Sequence, residues 1–169
     1  LLLIHEDYAD LLEEGDLDIE VIIVGPPDWD KRVSRADAAN CPTPRLDRDT
    51  LVNIQYTSGT TGLPKGCLLT HRYWLTTGMV NAWRDGLRLR RILATTPFTY
   101  MDPQWLLLMA MYQRGTLVVG RKQSATRFSG WLADHRIDFC LFPEAASKQP
   151  PAPHDNQNVV KRANIYGVR

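Results

Sequence analysis

Uniformly apolar runs alternate with amphipathic ones along this chain, and the alternation predicts strands covered by helices. Leu1 to Ile4 and Val21 to Val24 are short runs without polar interruption, the pattern of strands buried on both faces. Between them Tyr8, Leu11 and Leu12 fall on one helical face, with Gly15 as a natural end. Gly25 to Thr50 carries Pro26, Pro27, Pro42 and Pro44 among many charges and shows no period, which predicts a long surface connection. Leu51 to Tyr56 and Gly66 to Thr70 then read as two strands joined by the turn between them.

Thr70 stands where an N-cap belongs, ahead of a helix whose Trp74, Leu75, Gly78, Ala82 and Trp83 recur at helical spacing as a core-facing stripe. A charged segment, Arg84 to Arg91, leads into a strand over Ile92 to Pro97. Asp102-Pro103 predicts a helix start with Asp102 as the cap, Gly115 predicts its stop, and the apolar residues between them predict burial on all sides. Thr116 to Val119 is a strand, and Ser124 caps a helix with Phe128, Trp131, Leu132 and His135 on one face. Asp138 to Phe142 is the next strand; a loop from Pro143 to Asn158 leads to a last one over Ala163 to Gly167. The fold class that follows is α/β, a layered and mostly parallel sheet flanked by helices. There is no internal repeat.

Composition narrows the functional classes. The chain has 169 residues, 44% hydrophobic and 23% charged, enough for a domain-sized core, and its net charge of +1 gives no broad basic field for nucleic acid. The longest greasy segment, Trp105 to Tyr112, is far short of the roughly 20 residues that span a bilayer. Cys41, Cys67 and Cys140 are scattered, as are His5, His71, His135 and His154, so neither a disulfide framework nor a zinc site is expected; reduced thiols suit a cytoplasmic protein. Leu1 to Ile4 has no basic region ahead of it, so the start reads as a strand of a longer protein and not as a secretory signal.

The candidate chemistry lies in Tyr56-Thr57-Ser58-Gly59-Thr60-Thr61-Gly62-Leu63-Pro64-Lys65-Gly66. Glycines let backbone N–H groups approach an anion, and the hydroxyls of Thr57, Ser58, Thr60 and Thr61 add neutral donors. Lys65 adds a compact cation, worth up to about 4 kcal/mol against a phosphate oxygen near 4 Å before desolvation. The spacing is not that of a Walker A loop: counting from Gly59, position 64 should be glycine but is proline, and Gly66 instead of Ser or Thr follows Lys65.

Every position from Thr57 to Gly66 instead fits Thr-Ser-Gly-Thr-Thr-Gly-x-Pro-Lys-Gly, and Leu68-Leu69-Thr70-His71 continues it. This run resembles the phosphate loop of the adenylate-forming, AMP-binding enzymes: acyl-CoA synthetases, peptide-synthetase adenylation domains and luciferases. A second resemblance lies at Pro97-Phe98-Thr99-Tyr100, where the family has a Pro-Leu-Phe-His-like segment; Tyr100 stands where histidine is common. The resemblance implies activation of a small-molecule carboxylic acid by ATP, with magnesium, to an acyl-adenylate and pyrophosphate, followed by transfer to coenzyme A as an acid–thiol ligase.

By the same resemblance Thr57, Ser58, Gly59, Thr60, Thr61 and Gly62 would wrap the β- and γ-phosphates, Thr57 would lie near the magnesium, and Lys65 would be catalytic. Tyr100 would border the acid, the alternative being a tyrosine that simply completes the core. Asp102 reads as a helix cap and not as a catalytic base. The implied organisation is a partial N-terminal region: a leading α/β segment and linker over 1–50, the phosphate loop and its strands over 51–70, and a second α/β segment over 71–169. The family's glutamate for magnesium, its ribose-binding aspartate and its C-terminal lysine have no counterpart here. By the resemblance Tyr166-Gly167 would correspond to the earlier strand bordering the adenine, and not to the segment that carries the magnesium-binding glutamate. Residues 1–169 alone are therefore expected to be inactive. An ATP-hydrolysing or phosphoryl-transferring domain, or a non-catalytic nucleotide-binding segment, stays open as an alternative, as do the acid and the oligomeric state.

Overall fold

A computed structural model describes residues 2–12, 18–25, 28–35, 43–57 and 62–165. Expectations resting on Leu1, Gly15, Pro26, Pro27, Cys41, Pro42, Ser58 to Thr61 and Tyr166-Gly167 lie outside the described residues. The chain divides into two compact units, Leu1–Arg45 and Leu46–Arg169.

In the first unit β1 (Leu2–His5) and β2 (Val21–Val24) pair in parallel, with Leu2 opposite Val21 and His5 opposite Val24. A 3-10 helix over Glu6–Leu11 follows β1 in place of the expected amphipathic helix. None of its residues is buried, so no apolar stripe rewards the longer α-helical form, and the His5 ring accepts the Asp7 N–H at its start. The segment after Gly25 is not a featureless connection either: α1 spans Asp28–Arg35. Its acidic residues come first and Arg35 last, the order that suits the helix dipole, a signal that an apolar periodicity search does not register.

The second unit opens with an antiparallel hairpin of β3 (Leu51–Thr57) and β4 (Lys65–Thr70). The Thr70 hydroxyl accepts the Tyr73 N–H and caps α2 (His71–Trp83) as the sequence predicts. Trp74, Gly78 and Ala82 are buried, while Leu75 and Trp83 are exposed, so the core stripe is narrower than the apolar pattern. Gly78 is needed for close approach. A Cβ there would lie 2.6 Å from Leu108 Cβ, on the neighbouring helix α3 (Met101–Gln113).

A parallel sheet follows, built from β5 (Arg91–Ala94), β6 (Thr116–Val119), β7 (Phe139–Phe142) and β8 (Arg162–Ile165) in the spatial order β6-β5-β7-β8. Helices α3 and α4 (Phe128–Asp134) make the crossovers. Alternate residues of the central strands enter separate cores. Ile92, Ala94 and Phe139 pack with Trp74, Leu106 and Met109, whereas Leu93 and Cys140 pack with Phe128, Leu132 and Ile137.

Three sequence expectations need correction here. Tyr100, not Asp102, is the N-cap of α3; an Asp102 carboxylate oxygen accepts the Trp105 indole N–H at 3.0 Å and is drawn from the backbone by that partner. The helix is not buried on all sides, because Leu107 and Met111 are 40% and 65% exposed opposite the face that packs on the sheet. Ser124 lies one turn ahead of α4, where its hydroxyl accepts the Arg127 N–H at 3.4 Å while Arg127 holds the cap position. The Pro143 to Asn158 loop also contains a single helical turn, α5 (Glu144–Ser147). At the end of α3, Arg114 takes the left-handed conformation at φ 49°. Gly115 sits so near β5 that a Cβ would meet the Arg90 carbonyl oxygen at 2.7 Å.

Asp138 ties the starts of three strands together. One carboxylate oxygen accepts the N–H groups of Arg90 and Arg91 at 2.7 and 3.0 Å, and the other meets Lys161 Nζ at 2.9 Å. Burial pushes this carboxyl upward, but the Lys161 ammonium and the two N–H donors outweigh it and hold the group below the usual carboxylate value. A carboxyl lowered in the folded state stabilises above its unfolded pKa, and that contribution is lost as the pH falls through the folded value. Asp138→Asn should therefore cost about 2 kcal/mol at neutral pH, and its deficit should shrink on acidification to about pH 3. Urea unfolding of both proteins at the two pH values checks this; a deficit of constant size would remove the charge from the explanation.

Candidate functional site

The hairpin brings the two ends of the Thr/Gly-rich run face to face. Thr57 closes β3 directly opposite Lys65, which opens β4, and the Thr57 hydroxyl reaches the Lys65 carbonyl at 3.5 Å. Gly62 has φ 146°, a conformation that side chains disfavour, with open space around it. Gly66 serves another purpose: a Cβ there would approach Ile54 Cγ2 to 2.9 Å across the hairpin. Lys65 is exposed, and no carboxylate among the described residues lies within ion-pair distance. The loop ends thus offer an uncompensated cation beside a hydroxyl, which suits an anionic ligand. Ser58, Gly59, Thr60 and Thr61 lie outside the described residues.

Polar side chains on alternate positions of β3 fasten the hairpin to the segment before α3. Asn53 accepts the Trp74 indole N–H and donates to Gln104 Oε1, both at 3.0 Å. Gln55 donates to the Thr99 carbonyl at 2.9 Å, and Gln104 donates to the carbonyls of Phe98 and Tyr100 at 2.8 and 3.0 Å. Sequence reasoning missed Asn53, Gln55 and Gln104. The available signal was two amides on one face of an otherwise apolar strand, next to the loop. Tyr100 is 61% exposed at the start of α3, so its ring does not complete the core.

A cavity of about 440 Å³ opens at the carboxyl ends of β5 and β7, lined among others by Thr95, Thr96, Asp102, Gln123, Phe142 and Glu144. The chain leaves β5 toward β6 on one side, while β7 lies on the other, so this is the switch point where open α/β sheets bind ligands. No local pattern marks these residues, because only the strand order assembles them. A second cavity of about 560 Å³ at the end of β6 is lined by Arg121, Lys122, Arg127, Trp131 and His135. His135 is exposed there, and its carbonyl accepts Arg91 Nε–H.

Among the described residues no group of three His, Cys, Asp or Glu side chains is arranged to hold a metal ion. A magnesium ion carried in by a triphosphate fits this donor set, since such ions take most of their ligands from phosphate and water and need one or two from protein. Cys67 and Cys140 are both free, and burial pushes the Cys140 thiol up to about 12, which keeps it protonated and inert. Among the described residues no helix is long and apolar enough to cross a membrane.

Comparison with known proteins agrees with this architecture. A crotonobetaine/carnitine–CoA ligase of Escherichia coli (strain UMN026) is 33% identical over 135 residues, covering 76% of this chain and 26% of that protein. The chain thus spans about a quarter of the length of such relatives. The luciferase-like enzyme of the mealworm Zophobas morio superposes with a TM-score of 0.74 at 18% identity, over 95% of this chain and 40% of that one. An o-succinylbenzoate coenzyme A synthetase from Bacillus subtilis, solved with ATP and magnesium, gives 0.70 at 19% identity over 91% and 32%. At these identities the structural likeness is one of fold. The family described as AMP-binding enzyme matches residues 3–156, nearly the whole chain, and the chain belongs to that family.

Proposed function

We propose that the protein carrying this chain activates a carboxylic acid with ATP and passes the acyl group to coenzyme A. A carboxylate oxygen attacks the α-phosphorus, the bond to the β-phosphate oxygen breaks, and pyrophosphate leaves; the coenzyme A thiolate then attacks the acyl carbon and AMP departs. The observation that carries the reading is the Thr57-to-Lys65 hairpin, with an exposed, uncompensated lysine at the end of a run of hydroxyls and glycines. The family supports it, and from the ligase named above we take only the reaction of an acid with coenzyme A. Free Cys67 and Cys140 and the lack of a membrane-crossing helix among the described residues support a cytoplasmic setting.

The difficulty of the first step is electrostatic, since a carboxylate must meet a triphosphate of the same sign. Thr57, Ser58, Gly59, Thr60, Thr61 and Gly62 wrap the β- and γ-phosphates in this reading, and Lys65 neutralises charge that grows on the departing pyrophosphate. The Thr57 hydroxyl would hold a magnesium ion, which would supply further charge neutralisation at the phosphates. The hydrogen bonds of Asn53, Gln55 and Gln104 fix the hairpin against the loop ending at Tyr100, so the phosphate grip and the acid-bordering tyrosine keep one geometry.

Three measurements follow. In the full-length enzyme, Lys65→Ala should lower acid-dependent ATP–pyrophosphate exchange about a hundredfold, chiefly through kcat. An unchanged exchange rate removes Lys65 from the chemistry, and release of inorganic phosphate in place of pyrophosphate replaces the reading with ATP hydrolysis. Tyr100→Ala should reorder the preference among acids of different length while the KM for ATP holds; a loss of stability with both specificities intact would make the residue structural. Residues 1–169 alone should support no exchange, because Lys65 serves the β- and γ-phosphates and a further positive charge is required at the α-phosphate. Exchange by the isolated chain above that of its Lys65→Ala variant would contradict this division of charge.

A further inference from the structure

The amino ends of β5 and β6 carry positive charge that the fold leaves unanswered. Arg88, Arg90, Arg91 and Arg114, with Thr116, line one cavity of about 330 Å³ where the approach to β5 meets the turn from α3 into β6. No carboxylate lines it. Along the approach, Leu87 and Leu89 turn to the core while the alternate residues Arg88 and Arg90 are exposed. The acids nearby are already matched: Asp138 pairs with Lys161 and Asp85 with Arg162, and among the described residues none of the four arginines is in an ion pair. Of their guanidinium groups only that of Arg91 has a protein partner among the described residues, the His135 carbonyl. Arg114 is a further indication. It holds the left-handed end of α3 at φ 49°, a place where glycine costs less, so backbone preference does not explain an arginine there. The helix dipole accounts for one cation at that end, but not for four around one cavity.

This lining selects a ligand by charge density. Four guanidinium groups around one small volume repel one another, and an anion between them relieves the repulsion. A carboxylate brings a single charge, whereas linked phosphates bring several into the same space and meet each guanidinium fork with a pair of oxygens. The lining has no apolar or aromatic side chain, so it offers no wall for a nucleobase to stack on and nothing to enter a bilayer. The Thr116 hydroxyl adds a neutral donor. We propose that the amino ends of β5 and β6 form a second anion site, which receives a soluble chain of linked phosphates such as inorganic triphosphate through the guanidinium groups of Arg88, Arg90, Arg91 and Arg114. The site lies at the opposite end of β5 from the cavity beside Asp102, and it shares no residue with the Thr57-to-Lys65 run. Binding there requires no acid activation.

Calorimetric titration of the full-length enzyme with sodium triphosphate, in the absence of magnesium, tests the site. The parent and its Lys65→Ala variant should share one binding class whose Kd rises about tenfold or more in Arg88→Ala/Arg114→Gly. That double variant relieves the left-handed residue and should keep the Tm of the parent. Should it lose stability, Arg88→Gln alone, at an exposed side chain without a protein partner, carries the same comparison with a severalfold loss expected. Arg88→Lys/Arg114→Lys keeps the charge without the fork and should weaken the same class by less than the Ala/Gly pair does. Orthophosphate and poly-glutamate should each bind about tenfold or more weakly than triphosphate. Absence of the class from the parent, titrations that the arginine variants leave unchanged, or loss of the class in Lys65→Ala would each overturn the proposal. Poly-glutamate bound as tightly as triphosphate would replace it with a surface for acidic peptides, and arginine-dependent binding to phosphoinositide vesicles that exceeds binding of triphosphate would replace it with a membrane contact.

Discussion

Burial of the central parallel strands on both faces is the constraint on which the second unit depends. Ile92 and Leu93 on β5, and Phe139 and Cys140 on β7, send neighbouring side chains into opposite cores. Polar and reactive groups are confined to the strand ends and to elements outside the sheet. At the amino ends the buried carboxylate is structural: Asp138 gathers the backbone of Arg90 and Arg91 and the Lys161 ammonium. At the carboxyl ends of β5 and β7 the polar residues face a cavity. This asymmetry follows from crossovers that leave a gap where successive connections diverge.

The hairpin is a separate device held to the same scaffold. A two-stranded ribbon is marginal in water on its own, and β3 gains its position from Asn53 and Gln55, which bond outward to Trp74, Gln104 and the Thr99 carbonyl. Anchoring β3 in this way holds the base of the hairpin in place. Gln104 is the junction, since one amide reaches β3 and two carbonyls of the segment ending at Tyr100.

The outline of the fold was legible in the sequence because most strands are short unbroken apolar runs and most helices carry stops or caps of ordinary type. Thr70 caps α2 and Gly115 follows α3, although Gly115 is required by the approach of the Arg90 carbonyl. The misreadings share a cause. The Asp102-Pro103 pair and Ser124 were read from local chemistry alone, while in the structure the Asp102 carboxylate answers to Trp105, and the helix after Ser124 begins where Phe128 enters the core. Likewise α1 is eight residues long, and its two apolar side chains, Trp29 and Val33, one turn apart, are too few for a periodicity to stand out.

The sequence by itself determined the family and singled out the candidate loop residues, because the motif is written in consecutive positions: glycines, hydroxyls and a lysine whose spacing needs no tertiary partner. Tertiary structure alone decided which distant residues share a cavity. Thr95, Asp102, Gln123 and Glu144 lie on four separate stretches, and only the β6-β5-β7-β8 strand order brings them together. A carboxylate in a sequence has no defined surroundings; Asp138 became a clamp and Asp102 a cavity wall because burial, strand order and the nearest donor differ at the two ends of one sheet.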